Sequence, residues 1–509
     1  MNYLKLFLAV IFVFSKTITI HAQNGSQPIK KSLVFSAIKG TVSKTDTLIV
    51  SADINSLKWL GTDQTSFSII SKENKMLVLA FSPSADFIGI KRSSLQVVGA
   101  SGKIIAEISL TGLATKGLEG ENEAPLSTIV DALGYQSNIG WTTLANNTLP
   151  FLQGDEIPYQ QFRKAENRKV EIIPVARYSP DFELSFGYYS INGHMPINRE
   201  VGVLSKAGKY PEHQVLFPAI ARGAKEFDPG SRSFGFYFTS PTHSAWSEDV
   251  WNMLFYPDHA VHATRIYPLK DKEGTIIKNT YLLCVEEAAN GDYNDYVFLV
   301  KNIIPVTEDA FTVLFNGRNL DGWHTFLQNI GINKDPDNNF RIENNMLHVI
   351  GKDLGYAITD EGYSNFHFKV DFKWGEKRWP PREDAKRDAG VCYNIPVNEP
   401  DSIWPVSVEC QIQEGDVGDF WMLGFSTIMQ GGNQNIPSAH TRMIKQRDAE
   451  KPTGEWNTVE IISYNGRCVH IVNGVVVNTG DNASTHTGRI LLQSEFAEIY
   501  YRNVKIRKL

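Results

Sequence analysis

The stretch Val406–Gly424, VSVECQIQEGDVGDFWMLG, begins as a β-strand with two unlike faces. The apolar face carries Val406, Val408, Cys410 and Ile412. The polar face carries Ser407, Glu409, Gln411 and Gln413. Carboxylates and amides hold sugar hydroxyls and an aromatic ring stacks on a sugar, so the pattern predicts the floor of a carbohydrate-binding cleft. A solvated outer face of an antiparallel sheet is the alternative interpretation.

The composition favours a β-rich protein of several domains. The chain has 509 residues, of which 11% are aromatic and 39 are glycine. Such a length predicts about two to four domains. The net charge is −6, and no basic stretch indicates nucleic acid as a partner.

The first 22 residues resemble a secretory signal peptide. Lys5 is followed by the apolar run Leu6–Phe14, and Ala22 offers a cleavage point. We therefore expect a bacterial protein in the periplasm or outside the cell, with no transmembrane segment after cleavage. An uncleaved membrane anchor is the alternative, although the apolar run is short for a membrane span.

Two β-rich regions precede the C-terminal part of the chain. Residues 32–115 contain short apolar strands spaced by turns, which predicts an immunoglobulin-like β-sandwich. A polar linker follows it. Residues 120–305 form a second β-rich domain, which begins with the predicted helix PLSTIVDALGY.

The second region ends in an acidic loop. Its sequence NGDYNDY resembles the ending of certain exported bacterial β-sandwich domains, and that resemblance implies calcium. Asp292, Asn294 and Asp295 are the predicted ligands, since closely spaced oxygen atoms suit a hard cation. An Asx-rich turn between two strands explains the same residues.

Residues 311–509 resemble the 3-keto-disaccharide hydrolase family of exported bacterial proteins. The resemblance rests on several segments in order: LFNGRNLDGWHTF, NFRIENNMLHV, NFHFKVDFKWG, KRDAGVCYN, VSVECQIQEGDVGDFWMLG, GEWNTVEIISYNGRCVHIVNGVVV and GRILLQSEFAEIYYRNVKI. It implies a concanavalin-like jelly roll whose concave sheet binds sugar. It also implies cleavage of glycosides whose glucose ring carries a ketone at C3.

That reaction needs a base at C2, an acid for the leaving oxygen and a stabiliser for the enolate. Glu409 is the first candidate for proton transfer, because partial burial in mid-strand raises the pKa of a carboxyl group. Lys373, near the end of another strand, is a second catalytic candidate. Arg387 is the candidate for holding an anionic oxygen. A structural contact between Arg387 and Asp388 is the alternative.

Sugar binding is assigned to amide, aromatic and carboxyl side chains on the same strands and their neighbours. The candidates are Gln411, Gln413, Tyr393, Trp421, Gln493 and Glu495. For Glu495, an ion pair with Arg502 or Arg489 is equally compatible with the sequence.

The acidic loop after Gln413 has three possible roles. Glu414, Asp416 and Asp419 form a divalent-cation site, supply a second catalytic carboxylate, or anchor the loop. The four cysteines have no zinc-binding spacing, and buried free thiols are favoured over a Cys392–Cys410 disulfide.

The sequence therefore predicts a mostly β, exported enzyme that cleaves (3-keto-)glucosides by proton abstraction at C2, followed by elimination or hydrolysis. The alternative is a non-catalytic carbohydrate-binding or adhesion protein on the same jelly roll. The density of carboxylates in one segment favours the enzyme.

Overall fold

The computed structural model describes residues 17–18, 28–118, 120–141, 150–192, 195–206, 214–287, 290–308 and 310–509. Apart from the strand Thr17–Ile18, the predicted signal peptide, residues 1–22, lies outside the described residues. The chain is mostly β, as predicted, and divides into two compact units. The first unit is Met1–Tyr188, Arg199–Ser247 and Ala263–Pro305; the second is Tyr189–Asn198, Glu248–His262 and Val306–Leu509. No helix among the described residues is long and apolar enough to cross a membrane.

The N-terminal part of the first unit contains two four-stranded sheets. One has the strand order Thr17–Ile18, Asp46–Ile49, Met76–Phe81, Phe67–Glu73. The other has the order Ile29–Ile38, Ile104–Thr115, Gly89–Gly99, Ile54–Leu60. A 3₁₀ helix, Gln64–Ser66, precedes one strand. Alternating apolar side chains such as Leu33, Phe35 and Leu79 form the core. The immunoglobulin-like assignment of this sandwich stays a prediction.

The described part of residues 120–305 contains two larger sheets, a two-stranded sheet and little helix. The first sheet has the order Gln214–Leu216, Val170–Tyr178, Tyr296–Lys301, Ile276–Val285, Thr264–Lys270, and Glu226–Phe227 pairs with its second strand. The other has the order Ile220–Gly223, Met195–Leu204, Leu184–Asn192, Gly235–Thr239, Ser244–Trp246. Phe162–Lys164 pairs with Ile303–Pro305. The helical segments are Gly120–Asn122, Leu126–Ala132 and Asp249–Phe255, the second of which lies in the predicted helix.

The C-terminal domain is a sandwich of two large antiparallel sheets, as the predicted jelly roll requires. The eight-stranded sheet has the order Phe340–Glu343, Met346–Val349, Ala497–Lys508, Phe366–Arg378, Asn457–Tyr464, Arg467–Val472, Val475–Gly480, with Thr312–Val313 paired to Ala497–Lys508. The nine-stranded sheet has the order Gly331–Ile332, Trp323–Leu327, Gly355–Thr359, Thr487–Ser494, Gly390–Ile395, Ser407–Gln411, Phe420–Leu423, His440–Met443, with Tyr363–Ser364 paired to Thr487–Ser494. Met429–Gln430 and Asn433–Gln434 form a small hairpin.

One large apolar core fills the space between these two sheets. Phe368 and Phe372 enter it from the eight-stranded sheet, and Val391, Val408 and Cys410 enter it from the nine-stranded sheet. Since successive side chains of a strand point to opposite faces, every polar residue between these positions is turned away from the core. The nine-stranded sheet therefore presents Glu409 on its outer face, which the family resemblance predicts to be the concave face and which is called the concave face below.

Candidate functional site

Glu409 lies at the centre of the site, in mid-strand and nearly buried. Its side chain is 5% exposed, which excludes the alternative of a solvated strand face. Cys392 and Trp421 are its partners on the two neighbouring strands, so all three side chains share the concave face. The structure thus brings Trp421 to Glu409, as predicted from the sequence.

A glycine and a glutamine shape the space around this carboxyl group. A Cβ atom added to Gly390 would lie 2.0 Å from Oε1 of Glu409, so the absence of a side chain there makes room for the carboxyl. Gln493 Nε2 donates a hydrogen bond of 2.9 Å to the same oxygen. Gln493 Oε1 is buried and has no hydrogen-bond partner in the structure. The predicted residue Gln493 therefore lies in the site.

Two more carboxyl groups lie in the adjacent row of the sheet. Asp388 and Glu495 form an antiparallel bridge, and Arg382 Nη1 donates to Asp388 Oδ2 and, at 2.7 Å, to Glu495 Oε1. Gln413 Nε2 donates to Asp388 Oδ2 at 2.6 Å. The predicted pairing of Glu495 with Arg502 or Arg489 is wrong, because Arg382 reaches Glu495 from the loop before the strand.

The electrostatics of this carboxyl cluster (Asp388, Glu409 and Glu495) favour retained protons. Burial raises the pKa of Glu409 well above its ordinary value, and the charges of Glu495 and Asp388 raise it further. Burial also raises the pKa values of Asp388 and Glu495, although the Arg382 cation acts in the opposite direction on both. The three carboxyl groups therefore hold their protons to higher pH than ordinary carboxyl groups do, which is the property that a general acid needs.

A strap formed by residues 396–406 packs against the same face of the sheet. Trp404 of the strap packs on an apolar group that includes Cys392 and Tyr356. Asp401 accepts a hydrogen bond of 3.0 Å from the hydroxyl of Tyr356 and lies 3.3 Å from His324 Nε2. The exposed edge of the site is consequently the side that carries Arg382 and Glu495.

The third predicted amide, Gln411, is used locally. Its Oε1 accepts hydrogen bonds from the backbone N–H groups of Ile412 and Gln413. It lies on the concave face opposite Gly390, but its acceptor oxygen is already satisfied by the turn that follows the strand.

The structure does not bring Lys373 to Glu409. Lys373 belongs to the eight-stranded sheet, and its neighbours Phe372 and Trp374 point into the core. Its Nζ lies 5.4 Å from the ring centroid of Trp456 and 5.7 Å from that of Tyr500, on the outer face of that sheet. A joint catalytic role with Glu409 is therefore contradicted, since the apolar core separates the two faces.

Tyr393 is likewise misplaced by the sequence prediction. It is fully buried in the core between the sheets, and its hydroxyl lies 2.9 Å from His470 Nε2. It shares a face with Val391 and not with Cys392, because adjacent residues of the strand point in opposite directions. Sugar therefore does not contact Tyr393.

Arg387 is a structural residue. Its Nη1 pairs with Glu414 Oε1 at 2.8 Å, its Nε donates to the carbonyl of Gly375 at 3.0 Å, and its Nη2 donates to that of Glu376. Both the predicted anion-holding role and the predicted contact with Asp388 are corrected here, since these donors are used by loop groups.

The acidic loop after the strand is held by ion pairs, and a metal site there is not supported. Beside the Arg387–Glu414 pair, Arg442 Nη2 lies 2.8 Å from Asp416 and 2.6 Å from Asp419. Lys386 also pairs with Asp416. The three carboxylates thus anchor the loop, which was one of the three predicted roles.

A compact group of acidic side chains lies instead in the first unit. Glu286, Asp292 and Asp295 each offer one carboxylate oxygen, and these oxygens lie within 4.8 Å of one another. All three are buried, and so is Asn294, whose Nδ2 donates to the carbonyl of Ala124. The predicted calcium site at Asp292, Asn294 and Asp295 stays a prediction, with Glu286 as an added ligand candidate.

Sequence reasoning missed Arg382 and the role of Asp388. Asp388 precedes the strand Gly390–Ile395 with the parity of the concave face, so an extension of the pattern by two residues would have found it. Arg382 follows Trp379-Pro380-Pro381 in an irregular loop, where no periodicity indicates the direction of a side chain. All four cysteines are buried free thiols, as favoured.

The comparisons with known proteins agree with the predicted resemblance. Residues 310–507 match the 3-keto-alpha-glucoside-1,2-lyase-like domain family. This match confirms the predicted resemblance of the C-terminal domain to the 3-keto-disaccharide hydrolases. No curated protein matches the chain.

Solved structures show weak likeness to the same part of the chain. A protein from Parabacteroides distasonis, provisionally assigned as a glycosyl hydrolase, has 20% identity and a TM-score of 0.29, covering 40% of this chain and 98% of its own. The carbohydrate-binding module CBM66 from Bacillus subtilis has 10% identity and a TM-score of 0.25, covering 37% and 96%. An endo-β-1,3-glucanase from Pyrococcus furiosus has 12% identity and a TM-score of 0.26, covering 39% and 90%. No functional conclusion rests on values this low.

Proposed function

We propose that the C-terminal domain cleaves glycosides of 3-keto-glucose by elimination. The observation that carries the proposal is the carboxyl cluster of Asp388, Glu409 and Glu495 on the concave face, in a domain of a lyase-like family. A binding module needs amides and aromatic rings but no acid whose pKa is raised.

The chemistry follows from the ketone at C3. It makes the C2 proton acidic, so a carboxylate can remove it and leave an enolate. The enolate re-forms the ketone, a double bond forms between C1 and C2, and the C1–O bond breaks. The leaving oxygen takes a proton from an acid. Water then adds to the unsaturated sugar, or that sugar is released.

The two proton-transfer roles divide between Glu409 and Glu495. Glu409 is the more buried carboxyl, and burial and its acidic neighbours raise its pKa, so it acts as the acid for the leaving oxygen. The Glu495 side chain is 20% exposed, and its contact with Arg382 favours the charged form, so the Glu495 carboxylate removes the C2 proton. Trp421 supplies a stacking surface, and Gln413 and Gln493 supply amide groups for hydroxyls.

The decisive experiment is incubation of the full chain with a glucoside and with its 3-keto form. We expect turnover of the 3-keto form only, because the unoxidised ring has no acidic C2 proton. The Glu409→Gln variant should lose this turnover and unfold at a temperature no lower than the wild type. Sugar binding without turnover by the wild-type chain would support the carbohydrate-binding alternative instead.

The proposal places this reaction outside the bacterial cytoplasm. It rests on the charged, apolar and cleavage-site pattern of residues 1–22. The measurement is the N-terminal sequence of the mature protein, which should begin at Gln23. An N-terminus at Met1 would contradict cleavage.

A further inference from the structure

The loop that carries Arg382 also carries Arg387, and the two side chains serve different ends. Arg387 binds Glu414 and loop carbonyls, away from the carboxyl cluster. Arg382 contacts Asp388 and Glu495 with a single nitrogen, Nη1. The chain therefore holds one arginine at the site and a matched one outside it, five positions apart.

The side chains around the carboxyl cluster are otherwise neutral donors or weak acids. Gln413 donates to Asp388, and Gln493 donates to Glu409. The titratable neighbours Cys392 and Tyr501 are both fully buried, and burial raises the pKa of each. Arg382 is thus the positive charge that the described contacts place on the cluster.

We propose that Arg382 is a positioning residue that divides the protons of the carboxyl cluster. It makes Glu495 and Asp388 lose their protons at lower pH than Glu409, which it does not contact. Between these ionisations the acid and the base of the reaction are in opposite protonation states. This inference rests on the proposed function for its catalytic meaning, but the division of protons is a property of the resting protein.

The geometry explains why one cation can divide the cluster. An opposite charge within hydrogen-bond distance lowers the pKa of a carboxyl group by about 1–3 units. Asp388 and Glu495 receive that effect directly through Nη1, whereas Glu409 receives only the neutral amide of Gln493. Like charges so close together resist the simultaneous ionisation of all three groups, so the remaining proton stays on Glu409.

The first test is the pH profile of kcat/KM for a 3-keto-glucoside. Its acidic limb reports the ionisation of the base in the free enzyme. Without Arg382, the pKa of Glu495 rises, so in Arg382→Gln the limb should move to higher pH by about one unit or more. Arg382→Lys keeps a charge and should move it less. Arg387→Gln should leave it in place. A lowered rate in Arg382→Gln with an unmoved limb would overturn the proposal.

The second test needs no turnover and so separates this inference from the proposed function. The free energy of unfolding in urea is measured at pH 7 and at pH 9.5, on either side of the Glu495 pKa of about 8, for the wild type, Arg382→Gln and Arg387→Gln. Higher folded pKa values in Arg382→Gln mean that more stability is lost as the pH rises. We therefore expect a steeper loss in Arg382→Gln than in the wild type, and an unchanged slope in Arg387→Gln.

The two tests together distinguish a failure of the proposed function from a failure of the proposed proton division. If the wild-type chain turns over no 3-keto-glucoside but the steeper pH loss of Arg382→Gln is found, the proposed function fails and the proton division stands. If the free energy of unfolding depends on pH equally in all three proteins, the proposed proton division is wrong, whatever the activity. If Arg382→Gln does not fold, Arg382→Lys replaces it, with an intermediate slope expected.

Discussion

Two glutamates of the C-terminal domain, Glu409 and Glu460, occupy equivalent places and have opposite chemistry. Each lies in mid-strand on the face away from the core, and they are 5% and 8% exposed. Glu460 lies 2.8 Å from His367 Nε2 and accepts a hydrogen bond of 3.2 Å from Lys369 Nζ. Glu409 faces an amide and two further carboxyl groups.

The pKa values of the two groups diverge for that reason. Burial alone raises the pKa of Glu460, but His367 and Lys369 outweigh it and hold the pKa at about 2. Burial raises the pKa of Glu409, and its neighbours add to the effect. The comparison shows that burial does not make a glutamate catalytic: the partners decide whether the charged or the neutral form is favoured.

The largest expected effect concerns activity. Glu409→Gln should lower kcat/KM for a 3-keto-glucoside by about 10²–10⁴, since an amide cannot donate a proton to the leaving oxygen. Glu460→Gln should stay within about twofold of the wild type wherever it is folded. The measurement is initial rate at pH 7. Equal losses in the two variants would remove the distinction between them.

The acidic group of the first unit tests whether a metal ion can supply the positive charge that His367 and Lys369 supply to Glu460. Calcium at about 100 times its dissociation constant for the predicted site at Asp292, Asn294 and Asp295 should stabilise the folded chain by about 2.7 kcal/mol. Thermal unfolding with calcium and with a chelator measures this. Asp295→Asn should abolish the difference, and Asp416→Asn, which changes an acid held by ion pairs, should not. An unchanged unfolding temperature in the wild type would contradict calcium binding.

The two glutamate substitutions should differ in their effect on stability. Glu460→Gln leaves His367 and Lys369 without their anion, and we expect a loss of about 1–3 kcal/mol in the free energy of unfolding. Glu409→Gln removes a carboxyl group whose charged form burial disfavours, and we expect no loss in the free energy of unfolding at pH 8. Urea unfolding of both variants beside the wild type is the measurement.

The smallest expected effects concern the pH dependence of the free energy of unfolding. The folded pKa of Glu460 lies below its ordinary value of 4.5, so its contribution to stability is present at neutral pH and is lost as the pH falls from about 4.5 towards 2. The folded pKa of Glu409 is raised, so its contribution is present at acid pH and is lost as the pH rises through that value. Glu460→Gln should flatten the acid side of the stability profile, and Glu409→Gln the alkaline side.

Strand parity predicted much of this site. It placed Glu409 and Gln413 on one face and Val408 in the core, and both placements hold. Parity failed where it was applied across strands. Lys373 and Tyr393 each have a polar group, but one is on the other sheet and one points into the core. Alternation shows which side chains of a strand share a face, but it does not show which sheet the strand joins.

The sequence by itself determined the mostly β class, the jelly roll of the C-terminal domain and the central position of Glu409, because these follow from local alternation and from the motif order of residues 311–509. Only the tertiary structure decided which carboxyl groups are paired. Arg382 reaches Glu495 across 113 positions, and His367 reaches Glu460 across 93. Such contacts depend on strand order, and they set the pKa values that separate a proton donor from a structural ion pair.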